Sequence, residues 1–419
     1  MFRCSFCLFS RRTQGNKLFL MKSKTSFLLS VMSVVGLLWS VSCTKSPIDN
    51  GEDPLTPPED SLSTPGDTTA IPLSLNLGDS AIWLLRNESS VLSCQTTPED
   101  TLVELSWSID DESVAKVDQN GNVTALSPGK AVVRVSCGDV YAECKVTVFI
   151  GDKKPQNAYV GDYYLSDGSI LSQSSPTAEI ASMPVIGIVF CTDASRMGEA
   201  EKEALKLKGV EQPNGLVMSA RQAPEPLRWY FIESDFDFSL NEEEIGMPNI
   251  IVYGDPYETY RMANNDLNGY RYYQSIKELR KDELAAGYYQ VFSWVDEFET
   301  LVPSPEISTG WYLPSNGQWF DIIRGLAKGN VEESNLVKEG EEDFYWMNLG
   351  PLSSNMNDIL SPLSSENKSE FIGSGMMFWT SSVASPSETR FISLDDNGFV
   401  CCYRYYKMEY MNVLCVLGF

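Results

Sequence analysis

Apolar positions along this chain of 419 residues change their spacing from region to region. Phe27 to Val41 is a continuous apolar run, too short to span a membrane comfortably. Thr44 to Ala70 holds almost no large apolar side chain, being Pro, Ser, Thr, Asp, Glu and Gly. Such a stretch cannot bury enough surface to fold and predicts a tether. From Leu73 the period becomes two: Leu92, Cys94 and Thr96 alternate inward, then Leu105 and Trp107, then Ala131, Val133 and Val135, then Cys144, Val146 and Val148. Short alternating runs broken by turn residues predict a small antiparallel sandwich with Trp107 as its core plug. Asp118-Gln119-Asn120-Gly121 and Gly138-Asp139 read as its hairpin turns, with Asn-Gly supplying positive φ.

After a polar link at Gly151 to Asn157, expected to carry few contacts, the pattern mixes strands and helices. The unbroken apolar run Val185 to Phe190 predicts a central strand. Ala285, Tyr288, Phe292 and Val295 recur at helical spacing, as do Trp319, Ile322, Ile323 and Leu326. Ser315 and Gln318 form a capping box at the start of the second helix, and Gly329 is its expected end. Met376 to Phe419 alternates around Asp395 to Gly398 and predicts antiparallel strands.

Met21 to Cys43 resembles a bacterial lipoprotein signal: Lys22 and Lys24 form a basic start, the apolar run follows, and Ser40 and Ser42 lead into Cys43. Ser40 stands where the lipobox usually has Leu, and an ordinary secretory signal or a buried helix is the alternative. The resemblance implies lipidation of Cys43, residues 21–42 as a cleaved signal, residues 43–70 as the tether, and residues 1–20 as an over-extended start.

The run LSWSIDDESVAKVDQNGNVTALSPGKAVVRVSCGDVYAECKVTV resembles the group 2 bacterial immunoglobulin-like domain, implying a seven-stranded, non-catalytic spacer or adhesive module over 71–150. Residues 159–419 resemble the extracellular C-terminal domains of the Fibrobacter major paralogous and Legionella collagen-like-protein types. The matching residues are VGDYYLSDGS, PVIGIVF, PNGLVMSARQ, GWYLPSNGQW, FWTSS and VLCVLGF. That likeness implies a C-type-lectin-like α+β fold with two helices on twisted antiparallel sheets. Asn214 and Leu414 depart from it where many relatives carry histidine and arginine. The expected fold class is therefore multidomain, an all-β Ig-like sandwich followed by an α+β C-type-lectin-like domain. Intimin and invasin have a similar order of parts.

Charge narrows the function classes. The formal net charge is −25, and six basic but no acidic residues precede Cys43, leaving 26 basic against 57 acidic beyond it. Phosphate backbones and anionic head groups would be repelled, which excludes nucleic acid and leaves the lipid as the expected membrane attachment. With no histidine, the commonest general base and zinc ligand are missing. No cofactor or metal site is indicated: Asp110, Asp111, Glu112 and Asp118 read as turn chemistry, and Glu242 to Glu244 and Glu339 to Asp343 as solvated charge runs. Cys137 and Cys144 flank a hairpin turn and are candidates for a disulfide, and Cys401 and Cys402 should face opposite ways on a strand.

The remaining functional signal is aromatic. Tyr270, Tyr272, Tyr273, Tyr288, Tyr289, Trp294, Trp311, Tyr312, Trp319 and Tyr403 crowd the second domain and read mainly as core. Tyr405, Tyr406 and Tyr410, on a polar segment, are the expected exposed ligand-binding residues, with Arg404 and Lys407 making that spot locally basic. The expected protein is a non-enzymatic, lipid-anchored outer-membrane component whose head binds a glycan or protein ligand. A carboxylate-dependent glycan hydrolase and a structural fimbria-associated component are the alternatives.

Overall fold

The computed structural model describes residues 72–99, 103–231 and 241–419. The signal-like segment, Cys43 and the expected tether lie outside the described residues.

The sandwich is built from β1 (Ser74–Leu77), β2 (Ala81–Leu84), β3 (Ser89–Val91), β4 (Cys94–Thr97), β5 (Ser106–Ile109), β6 (Ala115–Val117), β7 (Asn122–Ala125), β8 (Gly129–Cys137) and β9 (Val140–Val148). β1 pairs with β4, β3 with β7 and β7 with β6, while the other sheet runs β2-β9-β8-β5. β2 lies parallel to β9, so the chain changes sheet between Leu77 and Ala81. Trp107, Val133, Val135, Cys144 and Val146 meet in its core, and alternation holds because the outer faces stay wet. Gly121 closes its turn at φ 78°, and a Cβ there would lie 2.9 Å from the Trp107 ring. The Trp107 N–H donates to Gln119 Oε1 at 3.2 Å and its carbonyl accepts from Gln119 Nε2 at 3.1 Å, occupying backbone groups on the edge strand β5.

The disulfide candidate fails on register. Cys137 sits opposite Val140 and Cys144 opposite Val133, so the two thiols are four ladder positions, about 13 Å, apart. A bridge needs Cα atoms within about 7 Å, and both cysteines are free.

The head contains β10 (Tyr163–Leu165), β11 (Ile170–Leu171), β12 (Val185–Cys191), β13 (Leu216–Gln222), β14 (Leu227–Arg228), β15 (Val337–Glu339), β16 (Asp343–Trp346), β17 (Met376–Val383), β18 (Glu388–Leu394), β19 (Val400–Tyr406), β20 (Tyr410–Met411) and β21 (Leu414–Gly418). One antiparallel sheet runs β11-β10-β12-β13-β21, a second β15-β16-β19-β18-β17, and β14 pairs with β20. Every residue of β12 and of β21 is buried, which produces continuous apolar runs instead of alternation.

Eight α-helices are described where the lectin-like resemblance implied two: α1 (Thr177–Ser182), α2 (Glu199–Leu207), α3 (Pro256–Asn265), α4 (Gly269–Leu279), α5 (Lys281–Ala285), α6 (Gln290–Leu301), α7 (Asn316–Gly325) and α8 (Leu352–Leu360). α7 packs against α3, β12, β17 and β18. Gln318 Oε1 accepts the Ser315 N–H at 2.9 Å, the expected start. Its end comes earlier than Gly329, and Lys328, at φ 60°, takes the left-handed conformation. The stripe from Ala285 to Val295 is split between α5 and α6, because the chain turns at Gly287 with φ 77°.

The link is held more firmly than its polarity suggests. The Ile150 N–H donates to Asp167 Oδ2 at 2.7 Å and the Gly151 N–H to Ser169 Oγ at 2.8 Å. Lys153 exchanges backbone bonds with Ile170 at 3.1 and 3.0 Å, and its ammonium meets the buried Asp162 carboxylate at 2.8 Å. An extended polar segment laid beside β11 satisfies backbone groups that a free link would leave to water.

Candidate functional site

Tyr406 ends β19 and Tyr410 opens β20, so the two flank one turn and stand 50% and 55% exposed. Tyr405 differs: it packs partly against the head core, 6.1 Å from the Phe391 ring centroid. Behind Tyr410 the Arg228 guanidinium stacks 4.5 Å from its ring and 3.8 Å from Phe231, a cation–π arrangement that fixes the ring's orientation.

The expected basic spot is not there. Lys407 is fully buried, with its ammonium 2.5 Å from Glu242 Oε2 and 2.9 Å from the Pro386 carbonyl. Burial lowers its pKa, and the Glu242 charge opposes that shift. The Lys407 carbonyl accepts the Trp229 and Tyr230 N–H groups at 2.9 and 3.1 Å. Arg404 is neutralised by Glu342 at 2.8 Å and by Asp343 and Glu388 at 3.8 Å each. Lys407 therefore anchors the turn from inside while Tyr406 and Tyr410 face out. The Glu242 to Glu244 run is divided likewise, Glu242 buried and Glu243 and Glu244 exposed.

Most of the remaining aromatic residues singled out from sequence are core: Tyr272, Tyr273, Tyr289, Trp294, Trp311, Tyr312 and Trp319 are buried, and Tyr270, Tyr288 and Tyr403 pack partly against the same cluster. In the sandwich, Asp111 Oδ1 accepts the Ser113 N–H at 2.9 Å and Asp118 Oδ1 the Asn120 N–H at 2.8 Å, the turn roles expected of them. Among the described residues no group of three Asp, Glu or Cys side chains is placed to hold a metal ion.

Carboxyls with raised pKa lie in the head's interior. Burial pushes Glu201 up to about 8 against the hydrogen bond from Tyr312. Burial also raises Asp266, which accepts from Tyr272 and Ser382, and Asp321, which pairs with Arg196 and Arg324. Sequence reasoning did not find these groups, because each depends on at least one partner distant in the chain: Tyr312 for Glu201, Ser382 for Asp266 and Arg196 for Asp321. None of them lines the groove of about 400 Å³ where the sandwich meets the head.

Residues 76–148 match the family model described as the bacterial Ig-like domain (group 2), so the sandwich is Ig-like. The chain is 30% identical over 189 residues to the "Putative fimbrium tip subunit Fim1C" of Bacteroides ovatus, covering 42% of this chain and 34% of that protein. It is 33% identical over 122 residues to an alpha-L-arabinofuranosidase of Bifidobacterium longum, covering 28% of this chain and 11% of that enzyme. The chain thus spans about a third of the first relative and a tenth of the second. A crystal structure of a fimbrial protein from Bacteroides ovatus superposes with a TM-score of 0.41 at 16% identity, over 83% of this chain and 70% of that one.

Proposed function

We propose that this chain is a fimbria-associated or adhesive surface component of the bacterial envelope, lipid-anchored through Cys43 in the outer membrane and read as a non-enzyme. In this reading a tether at 43–70 leads to the Ig-like spacer over 71–150, and the C-type-lectin-like head over 159–419 presents the ligand-binding turn. The observation that carries it is the similarity to a fimbrium tip subunit. The exposed Tyr406 and Tyr410 on a turn fixed from beneath support recognition of a glycan or protein, since rigid amphipathic rings bind at small entropic cost. Tyr405 contributes by holding its neighbour: the two rings lie 6.1 Å apart. The raised-pKa carboxyls sit inside hydrogen-bonded core, which disfavours the hydrolase alternative, because glycoside hydrolysis needs two acids flanking an open cleft.

Two experiments test it. Cells fed a fatty-acid probe should label the wild-type chain and not Cys43→Ala, and equal labelling rejects the anchor. Immobilised glycans and host matrix proteins should capture the full chain, with Tyr406→Ala/Tyr410→Ala weakening capture tenfold or more. Unchanged capture by a variant that melts like wild type rejects the turn as the recognition site.

A further inference from the structure

We propose that the groove between sandwich and head is a second binding site, one that takes a neutral saccharide. Its volume of about 400 Å³ lies within the range of small-ligand sites. The sandwich contributes Trp83 and Phe149, while the head contributes Val210, Gln212, Asn214 and Ile307, so neither domain makes the site alone. Phe149 is buried, so the apolar surface open to a ligand is that of half-buried Trp83, Val210 and Ile307, which suits the C–H face of a pyranose ring. Gln156, Gln212 and Asn214 bring amides whose side chains hydrogen-bond to no other described residue, leaving donors and acceptors free for sugar hydroxyls.

The walls are held before any ligand arrives. The Phe149 N–H donates to the Leu84 carbonyl at 2.8 Å, and Lys154 Nζ lies 2.7 Å from Glu88 Oε1, joining the link to the sandwich. On the head side the Val210 N–H donates to Leu205 at 3.0 Å and the Asn214 N–H to Phe419 at 2.7 Å. Fixed walls lower the ordering cost of binding. Charge sets the ligand class: Glu88 neutralises Lys154, and Glu211 is left as an acidic wall residue. An anionic sugar or a phosphate would meet repulsion there, whereas a neutral sugar would not.

The full chain titrated with lactose, N-acetyllactosamine and cellobiose, with sialyllactose as the anionic comparison, should show saturation-transfer NMR signals for at least one neutral sugar and none for sialyllactose. Trp83→Ala should weaken that binding tenfold or more, and Gln212→Ala, an exposed change that spares the fold, about threefold to fivefold. Absence of binding by all three neutral sugars at millimolar concentration, preference for sialyllactose, or an unchanged affinity in either variant overturns the proposal. Binding lost in Tyr406→Ala/Tyr410→Ala but kept in Trp83→Ala would also overturn it, while upholding the turn as the recognition site.

Discussion

In the sandwich, charged side chains sit at turns and on outer strand faces, where Asp111 and Asp118 organise nearby amides, whereas the head takes Glu201, Glu242, Asp266, Arg390 and Lys407 into its interior. The sandwich can be wet on one face of each sheet, so its apolar residues need only alternate. The head covers both faces of β12 and β21, and polar groups caught between those layers must find partners inside. The sandwich therefore draws its stability mainly from apolar packing, and the head adds an internal set of ion pairs and hydrogen bonds whose members depend on one another.

Breaking the Lys407–Glu242 pair should give the largest effect. Lys407→Ala leaves the Glu242 carboxylate uncompensated in the core, and loss of one member of a buried pair costs about 5 kcal/mol at the upper end. Hydrogen exchange should show that loss in β19 and β20 and not in β8 and β9. A paired replacement, Glu242→Leu/Lys407→Met, should recover most of it, since apolar pairs of similar volume substitute well for buried ion pairs. A double variant as unstable as Lys407→Ala would show that the pair itself, and not the orphaned charge, holds the turn.

Trp107→Ala should come next, at about 3–4 kcal/mol in the sandwich, as for large core truncations. The same substitution shows whether sandwich and head unfold together, because the link pairs with the edge of β11. If β8 and β9 lose protection while β12 keeps it, the two cores unfold separately. An equal loss in β12 would make sandwich and head one cooperative unit.

Acidity should then move the two regions in opposite directions. Hydrogen bonds from Ser113 and Asn122 hold Asp111 and Asp118 below the usual carboxylate range. A lowered folded-state pKa contributes stability above the unfolded value and loses it as pH falls, so the sandwich weakens toward acid. Glu201 has the reverse sign. Its folded pKa of about 8 against an ordinary 4.5 means that the fold holds an extra proton across that window, so its contribution is complete below 4.5 and fades as pH rises toward 8. Glu201→Gln should flatten the fall in head stability between pH 5 and 8, read by melting at stepped pH; an unaltered slope would place the proton elsewhere.

The same contrast explains what was legible in the sequence. Hairpin turns such as Gly138-Asp139, the alternation around Trp107, the apolar run of β12 and the start of α7 at Ser315 and Gln318 all have local causes, and a local pattern suffices to see them. Lys407 has none: its neighbours in CYRYYKMEYMN look solvated, and its burial is explained by partners elsewhere in the chain, Glu242, 165 residues away, and the Pro386 carbonyl. In the acidic run Glu339 to Asp343, Glu339 and Glu341 are exposed as expected, and only its end is drawn in, since the partners of Asp343, Arg390 and Arg404, lie on other strands. The break between α5 and α6 had a local sign in Gly287, which the helical spacing of the flanking apolar residues overrode. Of the three tyrosines expected to be exposed, Tyr406 and Tyr410 are, and Tyr405 turns inward because strand pairing sets it opposite Thr389 beside Phe391.

The smallest effect should lie on the sandwich surface, whose charges are exposed to water. Arg134 and Glu143 face each other across β8 and β9 at 2.6 Å, with side chains 51% and 41% exposed, and the guanidinium also lies 4.4 Å from the Tyr141 ring. By geometry this contact matches the Lys407–Glu242 pair. Water screens it, however, and two long side chains lose rotamer freedom to hold it, so exposed pairs contribute little. Arg134→Ala and Glu143→Ala, singly or together, should leave the melting temperature within measurement error at physiological salt, and a double-mutant cycle should return a coupling near zero. A coupling as large as that of Lys407 with Glu242 would mean that burial is not what separates the two regions.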